Sequence, residues 1–251
     1  MPTPLKELQA QVDALRADVE FVRLASQLRL RVGKVLQWQA QGEETDLAKR
    51  FINSQPSSPE AVYGPLLVRL LASLERYMRN TITDIVDHKA ANASSYDSVA
   101  GTLGNRNLVL TGRLLSTLDA PRDYLTLNVE ELIENLASCR RGSGKFRLNS
   151  IAFSSALGGV SPSVLEKAFD NLEISGWWDR IGADAKITAL LGTKGARATG
   201  DRAKERLKEL ARWRNHLAHG GDGEILISES QIDDAIEFVR VFGVAFEAVV
   251  R

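Results

Sequence analysis

The sequence predicts an all-α fold. Three observations lead there. Apolar residues recur at spacings of three and four in several long stretches, which is the period of an amphipathic helix. No set of alternating apolar and polar runs marks out strands. Proline, glycine and serine clusters fall between the periodic stretches, where helices must stop.

The first helix is expected from Leu5, Leu8, Val12, Leu15, Val19 and Val22, an a/d stripe that blurs after Ser26. Such a stripe either packs on its own domain or forms a coiled-coil or dimer arm. Residues 1–52 are read as this N-terminal helical segment. Residues 53–60, "NSQPSSPE", read as a linker, because proline, serine and asparagine interrupt helices. Residues 61–251 are expected to form the main domain. It opens on the strongest helix of the chain, with Pro65 at its start and Leu67, Leu70, Leu71, Leu74, Met78, Ile82 and Ile85 on one broad face.

Residues 90–128 look less regular, and "NVEELIENLAS" reads as a short helix. "RRGSGKFRLNS" reads as a flexible basic loop. "SPSVLEKAFDNLEISGWW" begins with a serine cap and Pro162 and keeps helical periodicity to Gly176. "LGTKGARATGD" reads as another loop, and a helix is expected from Arg202 onward. A final buried helix follows, with Ser228 or Ser230 as cap and Val239, Phe242, Val244, Phe246 and Val249 inside.

Bulk properties exclude several classes of protein. The chain has 251 residues, with 32 Lys and Arg balanced by 32 Asp and Glu. Zero net charge gives no global sign of a nucleic-acid partner, so such a partner must be argued from local clusters. Lys186, Lys194, Arg197, Arg202, Lys204, Arg206, Lys208 and Arg212 form one basic stretch. An acidic stretch follows, with Asp222, Glu224, Glu229, Asp233, Asp234 and Glu237. This split either attracts phosphate or makes ordinary ion pairs on a solvated face. The lone Cys139 can form no intrachain disulfide, and no apolar run is long enough to span a bilayer, so a cytoplasmic location is expected.

The chemistry concentrates in "ARWRNHLAHGG", Ala211 to Gly221. On a helix, Leu207, Leu210, Ala211, Leu217 and Ala218 line one face with Arg214 in its middle. A guanidinium there keeps its proton and needs a carboxylate or an incoming anion. Glu75, the one acid bordering the apolar stripe of its helix, is the matching group. The two either form a core salt bridge or a functional pair. Arg214 and His219 are five apart and do not align on a regular helix, whereas Asn215 and His219 are four apart and do. Gly220–Gly221 is expected to end the helix, and His216 to be exposed. A zinc site at "HLAH" is disfavoured because no acids cluster with it. His88 reads as a helix-terminus residue, Cys139 as an inert thiol, and "GTLGNRN" as lacking the spacing of a phosphate loop.

Arg214-Asn215-x-x-x-His219 resembles the RN-x3-H signature of HEPN-domain ribonucleases, and "SLERYMRN" resembles the acidic helix of that family, with Glu75 and Tyr77 in place. The subgroup it resembles is the prokaryotic HEPN proteins of phage defence and toxin–antitoxin systems. The resemblance implies a HEPN-like helical bundle, here with an additional long N-terminal helix, that pairs into a homodimer and cuts RNA without metal or other cofactor. It implies catalytic roles for Arg214 and His219 and supporting roles for Asn215 and Glu75. An antitoxin or defence-system partner protein is a further expectation. The alternative is a non-catalytic HEPN module that binds RNA or protein.

Overall fold

A computed structural model describes residues 3–36, 46, 48–50, 53, 59–117, 127–140, 145–219 and 226–250. Most of the expected 53–60 linker and the expected helix stop at Gly220–Gly221 lie outside these residues, as do Asp222 and Glu224. The described residues contain helices and no strand, in keeping with the all-α expectation.

Helix α1 (Pro4–Leu36) packs on α2 (Glu60–Asn92) and on the last helix, α10 (Glu229–Val250). Its stripe of Leu8, Val12, Leu15 and Val19 is buried there, so that stripe serves the chain's own core. Ion pairs border the seam. Arg16 meets Glu237 at 2.8 Å, Arg23 meets Glu229 at 2.8 Å and Asp233 at 3.0 Å, and Arg69 meets Asp18 at 2.8 Å. Glu229, Asp233 and Glu237 of the acidic stretch are thus engaged with α1. Helix α2 is the central element and touches α1, α10, α9 (Ala196–His219) and the short α5 (Ser150–Ser155). All seven apolar residues expected on its inner face are buried. It begins at Glu60, so Pro65 sits inside its second turn and not at its start.

Helix α3 (Asn105–Leu115) was hidden in the irregular stretch. Its buried face carries Asn107 and Thr111, so it has no clean apolar stripe to find. Those groups are satisfied from the segment before α5. The Asn149 backbone N–H donates to Asn107 at 2.9 Å, and the Asn149 amide donates to Thr111 at 3.1 Å. Helix α4 (Val129–Arg140) occupies the expected place, and the Asn149 amide also donates to its Leu132 carbonyl. Burial pushes the Cys139 thiol up, the opposite of activation, despite the neighbouring arginine.

Helix α6 (Pro162–Asp170) stops before Gly176, where periodicity had carried it. Glu173 and Gly176 both take left-handed backbone, which turns the chain into α7 (Trp177–Gly182). After α8 (Ala185–Leu191), α9 begins at Ala196, six residues earlier than expected. Its first buried residues are Thr199, Gly200 and Ala203, too small to register as an apolar stripe. Their smallness lets α9 lie on α7 backbone to backbone. A Cβ on Gly200 would come 2.7 Å from the Trp178 carbonyl oxygen, and one on Gly182 would fall on the Ala196 carbonyl oxygen.

Helix α10 is capped as expected. The Ser228 hydroxyl accepts from the Gln231 backbone N–H at 3.3 Å, and Gln231 accepts from the Ser228 backbone N–H at 2.8 Å, a reciprocal capping box. Phe238, Phe242 and Phe246 form a stacked ladder along it. Phe246 meets Tyr77, Phe169 and Trp177 edge-on, which locks α2, α6 and α7 onto one aromatic centre.

Candidate active site

The site forms where the last turns of α9 cross the middle of α2. Helix α9 supplies Arg214 and Asn215, and α2 supplies Glu75. A loop from Leu157 to Ser161, between α5 and α6, closes the third side. Arg214 points to the core side of α9, as its position on the wheel requires. It lies five residues before the end of α9, however, and about a third of its side chain (34%) stays exposed. The nearby Trp213 is the buried residue of this turn, and the Arg206 guanidinium lies 5.4 Å from its ring centre. Trp213 was not recognised in the sequence as part of the core face.

Arg214 Nη2 lies 3.9 Å from Glu75 Oε2, a loose ion pair. Arg214 also donates to the side-chain oxygen of its neighbour Asn215 at 3.1 Å. The tighter partner of Glu75 is Arg79, which donates to Oε1 at 2.7 Å and to the Leu157 carbonyl oxygen at 2.7 Å. Arg79 therefore ties the carboxylate to the loop. Sequence reasoning missed it, although it stands four residues after Glu75, the spacing of a helix-face ion pair.

These groups enclose a cleft of about 60 Å³. Leu71 and Ala211 form apolar walls, Glu75, Arg214 and Asn215 the polar side, and Gly158, Gly159, Val160 and Ser161 the rim. Gly159 has φ of +145°, a backbone state that a side chain would strain. The cleft is well below the ~300–1,000 Å³ of ordinary ligand pockets. It can take a compact group such as a phosphate, with the rest of a ligand lying outside.

His219 is not in the cleft. It is exposed at the end of α9, about 140° around the helix from Arg214 at ~100° per residue. Among the described residues no hydrogen bond joins the two. Asn215 lies between them, also exposed. His216 is half-buried and engaged, which corrects the expectation that it is exposed. Ala218, expected on the apolar face, is exposed. The basic stretch is partly neutralised: Lys204 meets Glu166 at 3.1 Å, Arg206 meets Glu209 at 2.6 Å, and Lys208 meets Glu205 at 3.6 Å. His88, at the exposed end of α2, contacts Asn92 at 2.9 Å. Among the described residues no three His, Cys, Asp or Glu side chains converge as a metal site needs, and no helix is long and apolar enough to cross a membrane.

A family model described as RiboL-PSP-HEPN matches residues 43–250. No curated protein and no solved structure matches the chain.

Proposed function

Because the chain belongs to the RiboL-PSP-HEPN family, we propose that it is an endoribonuclease that cleaves RNA without a metal, by attack of a ribose 2′-hydroxyl on the adjacent phosphate. The observation that supports this most is the meeting of Arg214, Asn215 and Glu75 at one small cleft, with His219 exposed one turn beyond. Arg214 holds the phosphate and stabilises the charge that grows on its oxygens. Glu75 limits the wandering of that guanidinium, and Asn215 orients it. His219 takes the 2′-hydroxyl proton. A ring nitrogen of histidine can both accept a proton and return it. The P–O5′ bond breaks and the leaving 5′-oxygen takes the proton back from the protonated histidine, giving a 2′,3′-cyclic phosphate and a 5′-hydroxyl.

One chain does not aim Arg214 and His219 at the same phosphate. In this reading two chains pair about a two-fold axis near the ends of α9, so that His219 of one copy completes the site of the other. The setting is phage defence or a toxin–antitoxin system, with a partner protein that restrains the activity. A second reading, a HEPN module that binds RNA or protein without cutting, draws on the existing engagement of Arg214 by Glu75 and Asn215.

Incubation of the purified chain with total RNA in EDTA, beside His219→Ala and Arg214→Ala, separates the two. The enzyme reading expects cleavage by the wild type only, cyclic phosphate ends, and resistance of a substrate that is 2′-deoxy at the cut position. RNA binding without cleavage supports the second reading. Equal cleavage by wild type and both variants assigns the activity to a contaminant and sinks the first.

A further inference from the structure

Helix α1 carries a second apolar stripe that the other described residues of its chain leave exposed. Ala10, Ala14, Ala17, Phe21, Leu24 and Leu28 follow the alternating four-three spacing of a coiled-coil seam, and all are exposed. They lie on the side of the helix away from Leu8, Val12, Leu15 and Val19. Phe21 is 68% exposed, Leu24 54% and Leu28 49%. Three large apolar side chains in register on a helix otherwise fixed by packing and ion pairs are a face that calls for a partner.

We propose that this face binds a second copy of the same chain, with the two α1 helices antiparallel and crossing level with Val19. The sequence of the stripe is complementary to itself in that arrangement. Ala10 falls opposite Leu28, Ala14 opposite Leu24, and Ala17 opposite Phe21. Every layer joins a small residue to a large one, the condition for close interdigitation. At each end Glu7 comes opposite Arg31, and both are exposed. A parallel pair would set Glu7 on Glu7, Arg31 on Arg31 and Phe21 on Phe21, with thin alanine layers at one end and crowding at the other. The contact runs from Glu7 to Arg31, about 36 Å of helix. The RiboL-PSP-HEPN match begins at residue 43, so this interface lies in a segment outside it.

The interface is separate from the α9 pairing proposed above. A chain that uses both would assemble beyond a dimer, and one that uses only α1 would stop at a dimer. The two readings fail separately: the difference in mass between the wild type and Leu24→Glu reports on α1, and RNA cleavage reports on α9.

Sedimentation of the full chain at micromolar concentration tests the proposal. The wild type is expected to be a dimer or larger. Leu24→Glu, a change at an exposed position that leaves helix content intact by circular dichroism, should halve that mass and weaken association by at least about 100-fold. Glu7→Arg and Arg31→Glu should each weaken it by roughly tenfold, and the double exchange Glu7→Arg/Arg31→Glu should restore it. A monomeric wild type overturns the proposal. A Leu24→Glu chain of unchanged mass overturns it too. Failure of the double exchange to restore association overturns the antiparallel register.

Discussion

The two ends of α9 are built in opposite ways. Its first turns place Thr199, Gly200 and Ala203 against α7 so closely that backbones touch, and a Cβ on Gly200 would already overlap the Trp178 carbonyl. Its last turns place Arg214, Asn215 and His219 at the rim, held by side chains alone. The contact there is softer: a Cβ on Gly64 of α2 would meet the end of the flexible Leu217 side chain at 3.1 Å. One helix thus combines a rigid base with a polar tip. The base fixes where the tip points. The tip keeps its polar groups near water because it has given up the burial that the base enjoys.

The sharpest break of this contrast is at the base. Gly182→Ala drives a methyl group into the Ala196 carbonyl oxygen, which belongs to backbone and cannot rotate away. The expected loss is about 3 kcal/mol or more, at the upper end for overpacking. Gly200→Ala should follow closely. Urea denaturation of the two variants measures this, and a loss under 1 kcal/mol for Gly182→Ala would show that α7 and α9 can separate easily.

At the tip the effects should be smaller and should rank by distance. Glu75 is 2.7 Å from Arg79 and 3.9 Å from Arg214. Glu75→Ala leaves the Arg79 guanidinium, with 17% of its side chain exposed, short of its carboxylate, at a cost of about 1–2 kcal/mol. A double-mutant cycle should give a coupling near 1 kcal/mol for Glu75 with Arg79, and no more than about 0.5 kcal/mol for Glu75 with Arg214, where water screens the pair. The reverse order would make Arg214 the structural partner and weaken its assignment to phosphate.

The same contrast explains what the sequence revealed. Large apolar residues at helical spacing were legible, so α1 and α2 were found with their inner faces and α10 with part of its own: Val239, Phe242 and Phe246 are buried, while Val244 and Val249 are half-buried. Helix α3 and the start of α9 were not, because Asn107, Thr111, Thr199 and Gly200 are buried through hydrogen bonds and close backbone contact, which hydrophobic periodicity does not register. In the site, the pairing of Glu75 with Arg214 was readable because a charge within an apolar stripe is conspicuous. Its looseness was not readable, since the carboxylate takes Arg79 at 2.7 Å as its closer partner and leaves Arg214 at 3.9 Å. Arg79 and the Gly158–Ser161 rim needed the fold, because a loop's approach to a helix leaves no periodic trace.

In the seam between α1 and α10, Glu237 offers a control outside the cleft. Its hydrogen bond to Arg240, helped by Arg16 of α1, holds its carboxyl below the ordinary value of 4.5 against the opposing effect of burial. A depressed folded value means that the stabilisation is complete above the unfolded value and disappears as pH falls through the folded one. Glu237→Gln should therefore lower stability at pH 6–7 by less than about 1 kcal/mol, because the group is a third exposed. The difference from wild type should fade below about pH 4. Urea midpoints across that range check it, and a difference that grows on acidification would mean the wrong sign for this group.

The smallest expected change in stability belongs to His219→Ala. The ring is exposed, sits at the end of α9, and makes no hydrogen bond among the described residues, so its removal should move the urea midpoint by no more than about 0.5 kcal/mol. Under the proposed function the same change should abolish RNA cleavage. That pairing of a negligible structural effect with a complete functional one is what a polar tip on a rigid base predicts. A structural residue shows the reverse, with activity lost only as far as folding is lost. If His219→Ala unfolds the protein, the ring is packed against something on which α9 depends. If it leaves both folding and cleavage intact, the proton must be taken by another group, and His216, the other histidine of the same turn, would be the next to replace.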